Sequence, residues 1–248
     1  MPDLPLVTIV AAALIVALGY TVFGLTGFGS TIVAVPLLAH FFPIRFAVPM
    51  MLIFDLCAGL LLGLRNRRDV DRGELLRLAP FVVAGMLLGV TALIHAPEPW
   101  LLGGLGVFVF GYASWSLASR AAPQPISARW VAPAGVVGGV FTALYGSGGP
   151  IYTTYLARRV GDARRLRASN AVLIFCTAWA RLALFSGTGL MLQPALLPLA
   201  LLLLPCAVLG YFIGSHLHGR LSARHAARAI WILLLASGAS LVWRAASL

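Results

Sequence analysis

Apolar residues in this chain come in long, nearly unbroken runs, such as 195–213 and 81–94 with its flanks, separated by short polar stretches. A run of about 20 apolar residues rising about 1.5 Å each matches the hydrocarbon thickness of a bilayer. The pattern predicts spans over 6–24, 44–64, 79–95 and 100–119, then over 130–145, 168–186, 195–215 and 229–244. Two shorter apolar pieces, 30–42 and 151–157, follow the first span of each half and are too short to cross as ordinary helices. Keeping each half consistently oriented requires each piece to return the chain to the side it came from. Each half is therefore expected to carry a broken helical hairpin.

Composition agrees. The 248 residues are 60% hydrophobic and 10% charged, with a mean hydropathy of +0.96. A soluble domain carries about 25% charged residues. No long polar stretch leaves room for a soluble domain, so 1–248 reads as one transmembrane domain. The net charge of +11 does not indicate nucleic acid. All 18 basic residues are arginines, and most lie in four short stretches, 65–77, 120–129, 158–167 and 220–228. That is the pattern of cytoplasmic loops, whereas a nucleic-acid surface needs one contiguous basic face with readers for the bases. Those loops can also meet anionic lipid headgroups. Cys57, Cys176 and Cys206 fall inside apolar runs and suggest no disulfide framework. The first six residues lack the positive region of a cleavable signal, so they read as the start of the first span.

The two halves match. Matching positions within 24–65 and 144–187 share a constant offset of 119: Gly27 and Gly29 with Gly146 and Gly148, Ile32 with Ile151, Leu37 with Leu156, Arg45 with Arg164 and Cys57 with Cys176. Further on, Gly85 and Gly89 find counterparts in Gly210 and Gly214. Equivalent loops differ in arginine content. The loop at 65–77 is rich and its counterpart 187–194 has none; 95–99 has none and its counterpart 216–228 is rich. Arginine-rich loops stay inside, so the halves should be inverted repeats, 1–119 and 130–248. The fold class is an all-α polytopic membrane protein of two inverted four-span repeats, with both chain ends outside.

Irregular backbone survives at membrane depth only where protein or water buries it. The runs 24–31 and 146–150 are the expected places. Glycine there permits positive φ and close approach of a ligand, and Pro150 suits the first turn of a helix. Each break opens a short helix whose N–H groups and positive dipole end can hold an anion without a fixed charge. Candidate substrate contacts are Gly27, Gly29, Ser30, Thr31, Gly146, Ser147, Gly148 and Gly149, with Thr26 as a further hydroxyl. Gly85, Gly89, Gly210 and Gly214 read instead as places where helices pack closely.

The segments Gly27-Phe-Gly-Ser-Thr-Ile-Val-Ala-Val-Pro36-Leu-Leu, Arg68-Asp-Val-Asp-Arg72, Tyr145-Gly-Ser-Gly-Gly-Pro150 and Arg167-Ala-Ser-Asn170 resemble the sulfite exporter TauE/SafE family of membrane transporters. The resemblance covers nearly the whole chain. It implies two related halves and export of sulfite, organosulfonates or other small organic anions across a bacterial inner membrane. Tyr155 stands where the first half has Pro36, so the halves differ there.

Asp55 and Arg181 lie within predicted spans, where a charge costs about 2.5–3.5 kcal/mol on insertion scales, so both should face the interior. They read either as a structural pair or as a proton-coupling carboxylate and a substrate anchor. Asn170 and Ser169 open the sixth span; Ser169 reads as a helix cap, and Asn170 either caps or contacts substrate. The matching Cys57 and Cys176 read as small core residues. His216 and His218 lack a third ligand for a metal, and no cofactor is expected. The other acids, Asp3, Asp69, Asp71, Glu74, Glu98 and Asp162, are expected outside the spans.

No phosphate-binding loop with its lysine occurs, so ATP-driven pumping by this chain is not expected. A secondary transporter of a small anion is the leading reading. A passive anion channel is its nearest rival. A membrane-embedded lipid-modifying enzyme would need converging acids, histidines or cysteines that the sequence hardly offers. The expected partners are a small anion and membrane lipids, with no nucleic acid; self-association is compatible with the pattern.

Overall fold

The computed structural model describes residues 5–26, 29–62, 69–118, 125–217 and 223–247. Among them the regular elements are all helical. In chain order they are α1 (Leu6–Thr26), α2 (Ser30–Leu38), α3 (Ile44–Leu62), α4 (Arg72–His95), α5 (Glu98–Ala118), α6 (Val131–Tyr145), α7 (Gly149–Arg159), α8 (Ala163–Gly187), α9 (Leu196–Leu217) and α10 (Ala223–Ser247). Among the described residues, six stretches are long and apolar enough to cross a membrane: Leu6–Thr26, Arg72–His95, Glu98–Ala118, Arg164–Gly187, Leu196–Leu217 and Ile230–Ser247. With 15 residues, α6 is shorter than such a span.

The chain divides into two compact units, and each draws on both halves of the sequence. The first holds 1–50, 96–121 and 193–248; the second holds 51–95 and 122–192. Helix α3 belongs to the first unit through Met50 and to the second from Met51 onward.

In the first unit, α1 packs along α9 and α5 along α10. Lipid tails are as apolar as leucine, so helices in a bilayer associate through close packing rather than hydrophobic burial, and small residues permit it. A Cβ on Gly210 would overlap the Ala17 carbonyl, and one on Gly214 the Thr21 carbonyl. Helix α2 folds back on α1, so that a Cβ on Gly19 would stand 2.9 Å from the Ser30 carbonyl oxygen. At one end Glu98 Oε1 accepts from Ile44 N at 2.7 Å. Beside it, Arg45 Nη2 donates to the Ala96 carbonyl and Gln193 Nε2 to the Arg45 carbonyl at 2.8 Å. Arg244 Nη1 donates to the Ala39 carbonyl at 2.7 Å. This end gathers the arginine-poor segments before Pro49, at 95–99 and at 193.

In the second unit α4 packs along α6, and the contact repeats the one above. A Cβ on Gly85 would overlap the Val136 carbonyl and one on Gly89 the Val140 carbonyl. Val136 and Val140 follow Ala17 and Thr21 by 119 positions. Helix α7 folds back on α6, with the Tyr152 ring against Gly138, the counterpart of Gly19. Helix ends keep the same offset: α1 stops at Thr26 and α6 at Tyr145, and α2 starts at Ser30 and α7 at Gly149. At one end Asp71 N donates to Ser169 Oγ at 2.9 Å, and Arg159 Nη1 donates to the Ile126 carbonyl at 3.2 Å. That end gathers the described parts of three arginine-bearing stretches.

Several boundaries differ from the sequence expectation. Helix α8 starts at Ala163, where the Asp162 side chain caps it by accepting from Arg164 N at 3.0 Å. Ser169 therefore lies inside the helix and caps nothing. The short helices are Ser30–Leu38 and Gly149–Arg159 rather than 30–42 and 151–157. Helix α4 starts at Arg72, so Glu74 lies in its first turn, and it is buried at 7% exposure rather than lying outside the spans.

Candidate functional site

In the second unit the break after α6 is built by backbone geometry. Gly146 takes φ 71° and ends α6 in the left-handed conformation, where a β-carbon is penalised. Its N–H still reaches the Thr142 carbonyl at 2.9 Å, and Ser147 N reaches the Phe141 carbonyl at 3.2 Å. The chain then turns into α7 at Gly148, with Pro150 in the first turn. Gly148 has φ −70°, outside the left-handed region. Its requirement is space: a Cβ there would overlap Thr142 Oγ1 and approach the Tyr152 ring at 2.9 Å. Gly149 faces the other way, where the nearest atom to an added Cβ is Ile174 Cδ1 of α8 at 3.9 Å. Ser147 is buried and its hydroxyl donates to the Tyr145 carbonyl at 3.2 Å, so it is turned toward backbone rather than offered to a ligand.

Helix α8 runs past this N-terminus. Asn170, Ile174, Thr177 and Arg181 recur at the spacing of one helical face, and Asn170, Thr177 and Arg181 are buried. Side chains on a helix lean toward its N-terminus, so Arg181 leans back over the turn that carries Thr177. Arg181 is 3% exposed. Its Nη2 donates to Asp55 Oδ2 at 2.8 Å. Its Nε and Nη1 are buried without a hydrogen-bond partner, as is Asn170 Oδ1. A buried guanidinium with two unspent donors suits an anion.

The first unit carries the matching break. Gly29 has φ 94° and precedes α2 as its N-cap. An added Cβ there meets only Ile32 Cγ2 at 3.4 Å, so the conformation and not crowding demands glycine. Ser30 and Thr31 are buried at the start of α2. Thr26 Oγ1 donates to the Val22 carbonyl at 2.8 Å. Gly27 lies outside the described residues.

The structure thus brings Asp55, Arg181, Asn170 and the Gly148–Gly149 turn into one unit, and Gly29, Ser30 and Thr31 into the other. Cys176 is exposed on α8 and Cys57 is partly exposed, so neither belongs with the buried stripe. Sequence reasoning missed two groups. Thr142 Oγ1 and the Tyr152 hydroxyl share a hydrogen bond of 2.9 Å that ties α7 to α6. Glu74 takes the Tyr155 hydroxyl at 2.9 Å and Arg159 Nη2 at 2.6 Å. The available signal was Tyr152, Tyr155 and Arg159 recurring on one face of α7.

A sequence profile described as Sulfite exporter TauE/SafE matches residues 11–241. The Probable inner membrane transporter protein TsaS of Comamonas testosteroni is 27% identical over 206 residues, covering 79% of this chain and 83% of that protein. No solved structure matches the chain. With the family profile spanning almost its full length and six helices fit to cross a bilayer, the chain belongs to the sulfite exporter TauE/SafE family of membrane transporters.

Proposed function

We propose that this protein is a secondary transporter that exports a small anion, sulfite, an organosulfonate or a similar organic anion, across a bacterial inner membrane. The observation that carries this reading is Arg181, deeply buried, paired to Asp55 through one nitrogen and holding two donors unspent. The anion sits at the start of α7, beside Gly149, and Arg181 supplies the charge. The start of α2, at Gly29, Ser30 and Thr31, plays the matching part in the other half.

The carboxylate of Asp55 and the anion draw on the same guanidinium. A buried charge left without its partner is costly, so the anion's occupancy and the protonation of Asp55 are coupled. Asp55 thereby carries the coupling proton. The two halves are inverted repeats, a reading supported by the glycine–carbonyl contacts that recur between α1 and α9 and between α4 and α6. Arginine-rich loops face the cytoplasm and both chain ends face outward.

Reconstitution into proteoliposomes tests this. Sulfite, an alkyl sulfonate and an aromatic sulfonate are offered in turn under imposed pH gradients of either sign. Saturable flux that follows the gradient is expected for at least one. Flux that never saturates and ignores the gradient makes the protein a channel.

A further inference from the structure

Glu74 is a buried carboxylate that the anion site does not use. It lies in the first turn of α4 and receives three donors. Its Oε2 takes the Tyr155 hydroxyl at 2.9 Å. Its Oε1 takes Arg159 Nη2 at 2.6 Å and Arg77 Nη1 at 3.2 Å. Tyr155 and Arg159 both belong to α7, one turn apart, and Arg159 also donates to the Ile126 carbonyl.

Helix α7 needs such anchors. It has 11 residues, and a helix so short is marginal on its own propensity. Its N-terminal half is fixed to α6 by Tyr152 and Thr142, and its C-terminal half by Glu74. Tyr152, Tyr155 and Arg159 lie on the same face, so one side of α7 is pinned at both ends. Gly149 turns toward Ile174 and away from the Gly138–Thr142 side that holds Gly148. A short rigid helix transmits a shift at one end to the other. Losing the C-terminal anchor would therefore displace the turn where the anion is held.

We propose that Glu74 is a positioning residue for anion binding: through Tyr155 and Arg159 it sets where the N-terminus of α7 stands beside α8. The proposal rests on the reading that the anion binds at the start of α7. Glu74 touches no anion itself. Its two oxygens are taken up by Arg159, Arg77 and the Tyr155 hydroxyl, an arrangement that suits an anchor.

The test uses the whole protein in detergent and in proteoliposomes, with Glu74→Gln, Glu74→Asp, Tyr155→Phe and the exchanged pair Glu74→Arg/Arg159→Glu. Backbone hydrogen exchange is read along α7 and, as a control, along α6 and α9; sulfite is the probe anion for equilibrium binding. Glu74→Gln and Tyr155→Phe are expected to speed exchange in α7 selectively and to weaken sulfite binding about tenfold. Glu74→Asp should retain part of the affinity, and the exchanged pair should recover part of what Glu74→Gln loses. Faster exchange in α7 with unchanged sulfite affinity keeps Glu74 as the anchor of α7 and overturns its role in binding, whereas unchanged affinity in Gly149→Ala and Arg181→Ala as well would overturn the α7 anion site itself. Unchanged exchange in both variants overturns the proposal, as does a lowered melting temperature with exchange raised equally in α6, α7 and α9. Tyr155→Phe keeps the ring and removes one hydroxyl, so it remains informative should Glu74→Gln fail to fold.

Discussion

Arg181 Nη2 stands 2.8 Å from Asp55 Oδ2, while Nε and Nη1 of the same guanidinium are buried without a partner. A purely structural ion pair in a low-dielectric interior needs its remaining donors satisfied to offset desolvation. This pair leaves two unsatisfied, and the proposed anion site rests on those two donors.

Removing one member of the pair separates the two roles. Arg181→Ala takes the guanidinium away from the Asp55 carboxylate and is expected to lower stability by about 3–5 kcal/mol and to weaken anion binding at least about tenfold. The double variant Asp55→Asn/Arg181→Ala should regain much of the stability and none of the affinity. Thermal unfolding and equilibrium binding of sulfite read the two quantities. Affinity unchanged in Arg181→Ala removes it from the site.

Asp55→Asn alone keeps a hydrogen-bonding group beside Arg181 but cannot take up a proton. Proton-driven flux should disappear while anion-for-anion exchange across the membrane persists. Equal loss of both, in protein that reaches the membrane normally, identifies the pair as structural.

The glycines sort by what a methyl group would meet. Gly89→Ala and Gly214→Ala would press a Cβ onto the carbonyls of Val140 and Thr21, and overpacking of this kind costs about 1–3 kcal/mol. The sequence reading expects these two to disturb transport less than changes at Gly29 or Gly148, and the helix contacts add a packing cost to both. Gly148→Ala would collide with Thr142 and report on folding rather than on the site. Gly149→Ala is the clean probe, since its surroundings are open to 3.9 Å. It should melt like the parent and transport poorly. Gly29→Ala has room but must adopt positive φ, at a cost of about 1–2 kcal/mol.

Sidedness is open to cysteine labelling. Arg164 should be cytoplasmic, and Glu98 and Leu192 should be external. Label reaching Arg164 and Leu192 from the same side ends the inverted-repeat reading.

Glu98 places a carboxylate on the backbone N–H of Ile44 at the start of α3. Glu98→Ala should cost about 0.5–2 kcal/mol, as loss of a helix cap does, and Glu98→Gln should cost less because an amide oxygen still accepts. Thermal melts of the two variants, compared with the parent, provide the measurement.

The long apolar stretches were plain in the sequence, because bilayer thickness imposes a length that hydropathy reads directly. The breaks at Gly29 and at Gly146–Gly149 were equally visible, since Gly29 and Gly146 take positive φ and Gly148 has no room for a Cβ. The anchor on Glu74 was not. Hydropathy treats an acid flanked by Arg72 and Arg77 as loop, and the partners that bury it, Tyr155 and Arg159, lie far along the chain. Ser169 was misread for a related reason. Arginines at 164, 165 and 167 look like a loop, yet they form the exposed first turns of α8 after its cap at Asp162. The Asp55–Arg181 pair was foreseeable as two intramembrane charges, but the unspent donors on Arg181 depend on its neighbours and could not be read from spacing.

Helix α1 finds its partner in α9, and α4 finds its partner in α6. A ribosome delivering about 5–20 residues per second makes α1 roughly 10–30 s before α9 exists. Throughout that interval the face of α1 bearing Ala17 and Thr21 has only lipid or the insertion machinery to rest against. An amino-terminal half produced alone would stay in that condition permanently. The two halves, supplied as separate chains in one membrane, should rescue each other, because each holds the surface that the other was made to cover.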